Sequence, residues 1–408
     1  MKIDTNKPLA IVMCRNYSMR LGMIRAAGMA GCDVVVIQTL KRDLQLPIDT
    51  VSKYVVESKL SREPDGNALI ETIMGYRNDE RPVILLPSDD WTASVVDSHL
   101  DLLSPYFLMP HVEHRQGAML DIMDKWRQKE LAKAAGANVA KGWICHRGEQ
   151  GYLIPDEVTY PCFTKPVESY TSAMKDFLRR CNNKQQLKDL LQSIPPRHQN
   201  EILLEEYHPI DKEYAVLGLS LGDRSIIPAF IQMENSLEGV TATGSVHPIA
   251  QLPGIGEVLS RFMVSTHLTG LFDIDLYESG GKTYFNELNA RFGASGFAVT
   301  KGVVNLPGLF IWHLLGEPED SDIPSNFPIQ TFVNEKVCFD MLYEGFAGYR
   351  QYKQWLNNAD IRFIHQPDDP EPTRMFEKET RCLFLRLLVW RLKKKRYKLT
   401  FNNQSSNH

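Results

Sequence analysis

Three short apolar runs constrain the fold more than anything else in the chain. Leu9–Cys14 (LAIVMC), the β-branched run from Asp33 to Gln38, and Val83–Leu86 show no polar alternation along their core. Such runs, bounded by loop residues, suit strands buried on both faces of a parallel sheet. A loop, Arg15-Asn16-Tyr17-Ser18, and a helical stretch to about Ala30 separate the first two. The order strand, loop, helix, strand predicts a Rossmann-like unit, with its functional loop at the C-terminal end of the first strand. The third run ends in Pro87-Ser88-Asp89-Asp90, where Asp89 is placed to cap the next helix. No GxGxxG follows these runs, so a nicotinamide cofactor is not indicated.

At 408 residues the chain exceeds one ordinary domain, and two or three are expected. With 46 Lys and Arg against 50 Asp and Glu, nothing attracts nucleic acid in general, and none is expected as a partner. The charge is uneven, however. Residues 374–398 carry ten Lys or Arg and two Glu, which leaves the remainder at −12. Seven scattered cysteines without CxxC or Cys/His ligand spacing argue against a zinc site, and their odd number against a complete disulfide framework. There is no signal-peptide h-region and no apolar run of about 18 residues, so a cytoplasmic location is expected.

Beyond residue 110 a helix is expected from Gln116 to Gly136 with Asp124-Lys125 inside it. A strand through Pro161–Pro166, a helix near Gln185–Gln192 and a strand from Ile202 to Tyr207 follow. Successive strands run from Tyr214 to Glu287, and a further helical region starts after Asn305. The acidic, Pro-rich segment Gln366–Thr373 (QPDDPEPT) reads as the clearest break, setting a basic C-terminal helix apart from the body.

Chemistry concentrates in residues 270–296, GLFDIDLYESGGKTYFNELNARFGASG. The segment reads as a hairpin turning at Ser279-Gly280-Gly281. Alternation puts Asp273 and Asp275 on one face of the first strand, and Glu287 and Asn289 on one face of the second. Converging hard oxygen donors suit Mg²⁺ or Mn²⁺, and Arg291 points the same way, able to meet phosphate or a developing oxyanion. An acidic, solvated hairpin edge is the plain alternative.

The run Asp275, then Glu287-Leu288-Asn289-Ala290-Arg291, resembles the metal-binding signature of the ATP-grasp superfamily. The similarity extends upstream to Asp124 in the family's order. Asp124-Lys125 looks like the pair that opens the grasp region, and Tyr160–Pro166 like the strand carrying a second phosphate lysine, Lys165. Leu203–Tyr207 resembles the adenine-holding hinge, with Glu205, Glu206 and Tyr207, and Glu213 falls where the family has a ribose-binding glutamate. The loop after Lys165 has no glycine in 167–174, unlike the family's lid, although Thr171 and Ser172 still offer phosphate donors. Gly239–Ser245 is either a second loop near the site or a plain hairpin turn.

The resemblance implies an α/β chain, α+β in its grasp region. It consists of a Rossmann-like pre-ATP-grasp domain (1–112), a two-lobed ATP-grasp domain (113–318, small lobe about 130–208, large lobe about 209–318) and a C-terminal extension (319–408) with a basic amphipathic helix at 374–398. It further implies ATP and Mg²⁺ as cofactors, held by Lys125, Lys165, Asp275, Glu287 and Asn289, with Arg291 and Lys165 catalytic. The branch it most resembles is the carboxylate–amine ligases, including D-aspartate ligase of cell-wall assembly. The partners implied are a small carboxylate and an amine, and a homodimer would be ordinary. A grasp-type carboxylase or phosphoryl-transfer enzyme, or a nucleotide-binding module without catalysis, are the alternatives. In such enzymes the loop Arg15, Asn16 and Ser18 and the segment Ser88-Asp89-Asp90 face substrate. Arg15 would hold an acidic group and Asp89 or Asp90 an amine, with helix capping an equal account of Asp89. The tail 381–398, apolar and then strongly basic, is either an interfacial helix on anionic lipid at the membrane's inner face or a helix packed on the body.

Overall fold

The computed structural model describes residues 7–14, 17–40, 48–62, 66–149, 151–168, 177–195, 201–317 and 323–383. Strands β1 (Leu9–Cys14), β2 (Asp33–Leu40), β3 (Val55–Arg62) and β4 (Val83–Pro87) form a parallel sheet in the order β3-β2-β1-β4. Every residue of β1 and β4 is buried, because alternate side chains feed two different cores. Leu9, Ile11 and Met13 join Leu69, Ile70 and Ile73 of the helix Gly66–Met74. Ala10 and Val12 join Met23, Ile24 and Ala27 of the helix Tyr17–Met29.

Two short strands, β5 (His111–Val112) and β6 (Asn138–Val139), lead into two further sheets, the smaller antiparallel and the larger antiparallel except where β6 joins β16 and β18 joins β17. The smaller contains β7 (Gly142–Gly148), β8 (Gly151–Leu153), β9 (Cys162–Pro166), β10 (Arg180–Cys181) and β11 (Glu201–Glu206), in the order β10-β9-β11-β7-β8. The helix Lys184–Ser193 covers it with Leu187, Leu190 and Leu191. The larger contains β12 (Lys212–Leu221), β13 (Ser225–Leu237), β14 (Val240–Pro248), β15 (Leu268–Ser279), β16 (Lys282–Asn289), β17 (Gln330–Val333) and β18 (Ile361–Arg362). Its order is β18-β17-β14-β13-β12-β15-β16-β6, with β5 pairing β15. One of its faces packs on the helices Lys125–Ala134 and Ile255–Thr266. The other shares a core with β1 and β2 through Leu217, Leu219, Leu271 and Phe332, so the N-terminal sheet and the large sheet are not separate bodies.

Some expectations change. The helix foreseen over 116–136 is two helices, Ala118–Ile122 and Lys125–Ala134. Asp124 leaves helical geometry to cap the second, accepting from the Arg127 backbone N–H at 2.8 Å. The chain after 318 is not merely appended, since β17 and β18 widen the large sheet. The Pro-rich segment is no break either. Asp369, 1% exposed, accepts from Arg25 Nε and Ser52 Oγ at 2.8 Å and from the Lys53 backbone N–H at 2.9 Å, fastening it to the N-terminal unit. Residues 371–383 are helical, and the basic stretch from 384 onward lies outside the described residues. All seven cysteines are free thiols, six of them buried. No described helix is long and apolar enough to cross a membrane.

Candidate active site

The β15–β16 hairpin turns at Gly280 and Gly281, whose φ values of +55° and +74° are the left-handed pair that a two-residue turn demands. From Ser279 opposite Lys282, regular pairing continues to Leu276 opposite Phe285. One more step would set Asp275 against Asn286 and turn Glu287 and Asn289 to the other face. A bulge intervenes instead. The register shifts there, so Asp275 faces Glu287 and Asp273 faces Asn289. The extra residue, Asn286, accepts from Lys165 Nζ through its side-chain oxygen at 2.6 Å.

Within this cluster Asn289 Nδ2 donates to Asp275 Oδ2 at 3.3 Å. Burial, then the neighbouring Asp273, pushes the Asp275 carboxyl up to about 7, against the pull of Arg291 and Lys125. Burial likewise raises Asp273, while Arg291 Nη1 donates to its Oδ2 at 3.2 Å. Carboxyls raised in this way want more cationic charge than the chain supplies. Among the described residues, no three His, Cys, Asp or Glu side chains are grouped to hold a metal on their own. Two carboxylates and an amide nevertheless fit Mg²⁺, which completes its shell with water and substrate phosphate rather than an all-protein cage.

Three lysines face this cluster. Lys125, the first residue of its helix and 7% exposed, places Nζ on Glu287 Oε2. Burial, then repulsion from Lys165, lowers its pKa to about 8 despite Asp90, Asp275 and Glu205. One turn later Lys129, 3% exposed, donates to Glu205 Oε1 at 2.6 Å, and Lys165 meets Glu205 Oε2 at 2.5 Å. Burial alone would raise Glu205, but Lys165 and Lys129 outweigh it and hold the carboxyl at about 2. Gln128 secures the geometry: its side chain donates to Leu288 O at 2.8 Å and accepts from Leu288 N at 2.9 Å, locking the helix to β16. The Lys125 backbone N–H donates to Val167 O at 2.9 Å, tying the helix start to the segment after β9. Lys129, Gln128 and Asn286 were missed from the sequence. The four-residue spacing of Lys125 and Lys129 on one helix face was the available signal for Lys129.

Of these groups Lys165, Glu205, Asp275, Asn286 and Glu287 line a cleft of about 400 Å³ that draws its walls from both the small and the large sheet. Phe163, Ile210, Met233 and Leu276 add apolar lining, and Glu206, Tyr207 and Glu213 also line it. Glu205, expected to read a purine edge, instead gives both oxygens to lysines. The Glu206 and Tyr207 backbone N–H groups donate to Lys141 O at 2.8 Å and Pro161 O at 3.1 Å, and the Tyr207 ring stacks under Arg180. Gly239–Ser245 belongs to the β13–β14 hairpin, whose turn residue Gly239 reaches the cleft wall.

At the N-terminal unit the structure separates two neighbouring aspartates. Asp89 caps the helix Asp90–Asp97 in a reciprocal box with Thr92, accepting from its N–H at 2.9 Å. Asp90, beside it, reaches the candidate site and accepts from Arg291 Nε at 3.1 Å. Arg15, Asn16, the Ser18 side chain, Thr171 and Ser172 lie outside the described residues.

No protein-family model matches the chain, and no curated protein matches it. Solved structures do. The chain is similar to L-amino acid ligase from Bacillus licheniformis, at 19% identity and a TM-score of 0.58, over 81% of this chain and 80% of that one. It is similar to N5-carboxyaminoimidazole synthetase from Staphylococcus aureus complexed with ADP, at 16% identity and 0.60, over 86% and 87%. It is also similar to biotin carboxylase from Campylobacter jejuni, at 13% identity and 0.58, over 79% and 74%. At such identities the likeness is one of fold.

Proposed function

The chain has the ATP-grasp fold, and from that premise we propose that it is an ATP- and Mg²⁺-dependent carboxylate–amine ligase. The observation that carries this reading is the bulged hairpin, which sets Asp275 against Glu287 and Asp273 against Asn289, with Asp275 and Glu287 on the cleft wall beside Lys165. ATP would lie with its base toward Phe163, Ile210 and Leu276 and its phosphates toward Lys165 and Lys125. Asp275, Glu287 and Asn289 would hold Mg²⁺, which, when bound, offsets phosphate charge.

A substrate carboxylate oxygen attacks the γ-phosphorus, the bond to the β,γ-bridging oxygen breaks, and ADP leaves. An amine nitrogen then attacks the acyl carbon, the acyl–oxygen bond breaks, phosphate departs, and the nitrogen loses a proton. Lys165, oriented by Asn286 and Glu205, is placed for the migrating phosphoryl, and Arg291 for the oxyanion of the tetrahedral intermediate. The test is an ADP-release screen of amino acids and cell-wall precursors, with Glu287→Gln as control. Substrate-dependent release abolished by the substitution supports the reading. Release that survives it sinks the metal assignment, and release dependent on bicarbonate alone would point to carboxylation.

A further inference from the structure

Arg291 is held from two sides that are far apart in sequence. Asp90, the first residue of its helix at the C-terminal edge of the parallel sheet, takes Nε at 3.1 Å, and Asp273 on β15 takes Nη1 at 3.2 Å. One carboxylate would balance the charge of the guanidinium; here two approach it. Asp273 is 6% exposed, and its second oxygen, Oδ1, has no hydrogen-bond partner among the described residues. Room for this carboxylate is reserved by Gly293, where an added Cβ would lie 2.2 Å from Asp273 Oδ2. A buried carboxylate oxygen without a donor is costly, and it invites a donor from a ligand.

The charges point to which donor. At the phosphate end Lys125, Lys129 and Lys165 lie beside Glu205 and Glu287, whereas the single Arg291 meets both Asp90 and Asp273. At Arg291, then, acidic groups outnumber the basic one two to one, and the oxygen left over suits a cationic donor. We propose that Asp90 and Asp273, bridged by Arg291, form the seat of a substrate ammonium group, so that the amine substrate binds as a cation between the parallel sheet's edge and the β15–β16 hairpin. The proposal rests on the ligase reading above and names the class of its second substrate. It also divides the labour of two adjacent residues: Asp89 builds the helix start and Asp90 meets the ligand. The ammonium must lose a proton before its nitrogen attacks, and Asp90, whose side chain is 23% exposed, has a route to solvent for passing it on.

The full chain, saturated with Mg²⁺ and the non-hydrolysable analogue AMP-PNP, is titrated calorimetrically with glycine, L-alanine, L-lysine and ethylamine. Each is set against its hydroxyl counterpart, for example glycolate or L-lactate. The expected result is binding of at least one ammonium compound about tenfold or more tighter than its counterpart, as a charge-assisted hydrogen bond would give. Asp90→Asn should erase that preference, and Asp90→Glu should restore part of it. An unchanged preference in Asp90→Asn overturns the proposal, as does AMP-PNP binding with no preference in the wild type. Failure of AMP-PNP itself to bind overturns the ligase reading, and this inference with it.

Discussion

Replacing Glu205 by glutamine removes the one negative charge lying between two buried ammonium groups. The Glu205 carboxylate meets Lys129 at 2.6 Å and Lys165 at 2.5 Å, and all three side chains are at most 12% exposed. Each contact alone would be worth about 6 kcal/mol at an effective dielectric of 20. Desolvation takes back much of that, and deleting one partner of a buried pair costs about 3–5 kcal/mol. The lowered pKa corresponds to a similar figure, since holding the carboxyl at about 2 rather than its ordinary 4.5 is worth about 3 kcal/mol. We therefore expect Glu205→Gln to cost about 3–5 kcal/mol at pH 7. Because the folded pKa is depressed, this stabilisation is complete above about 4.5 and fades as the pH falls toward 2, so the gap between wild type and variant should narrow on the acid side. Urea unfolding followed by tryptophan fluorescence is suited to it, because Trp143 lies in the core of the same small sheet. Adding Lys129→Met to Glu205→Gln should regain about 1 kcal/mol or more by removing an unpaired buried charge. A single variant within about 1 kcal/mol of wild type at pH 7 would refute the reasoning.

Other perturbations have equally definite outcomes. Nucleotide affinity should weaken as the pH rises through about 8, where Lys125 loses its proton, and Lys125→Arg should remove that decline; fluorescent-nucleotide titration from pH 7 to 9 checks this, and a flat wild-type profile contradicts it. Gly293→Ala should push the Asp273 carboxylate off Arg291 and lower kcat about 100-fold, with a smaller effect on nucleotide binding. Asp369→Ala should cost about 3–5 kcal/mol in thermal or urea unfolding by stranding the buried Arg25, whereas a freely removable linker would show no loss.

The parts legible in the sequence were those governed by local rules. The unalternating runs gave the parallel sheet, and Gly280-Gly281 gave the turn of the hairpin. The meeting of Asp275 with Glu287 was expected for an incomplete reason. Alternation counted back from the turn opposes Asp275 to Asn286, and only the bulge at Asn286 brings Glu287 onto the shared face. A bulge leaves no mark in a hydrophobic pattern, so the role of Asn286 was invisible too. Asp124 looked helical because its neighbours are good helix formers, although Asp is also a favoured cap. The Pro-rich segment looked like a linker by composition, yet the buried pairing of Asp369 with Arg25 joins residues 344 apart, beyond the reach of local reading.

The central claim is that a carboxylate is activated on the γ-phosphoryl of ATP, and oxygen tracing tests it most directly. A carboxylate substrate found in the ADP-release screen is labelled with ¹⁸O in its carboxyl group and turned over with ATP, Mg²⁺ and an amine. The inorganic phosphate is then analysed by ³¹P NMR. Activation as an acyl phosphate requires one carboxylate oxygen to leave with the phosphate in each turnover, so labelled phosphate should accumulate in step with ADP. ADP accompanied only by unlabelled phosphate would contradict the account.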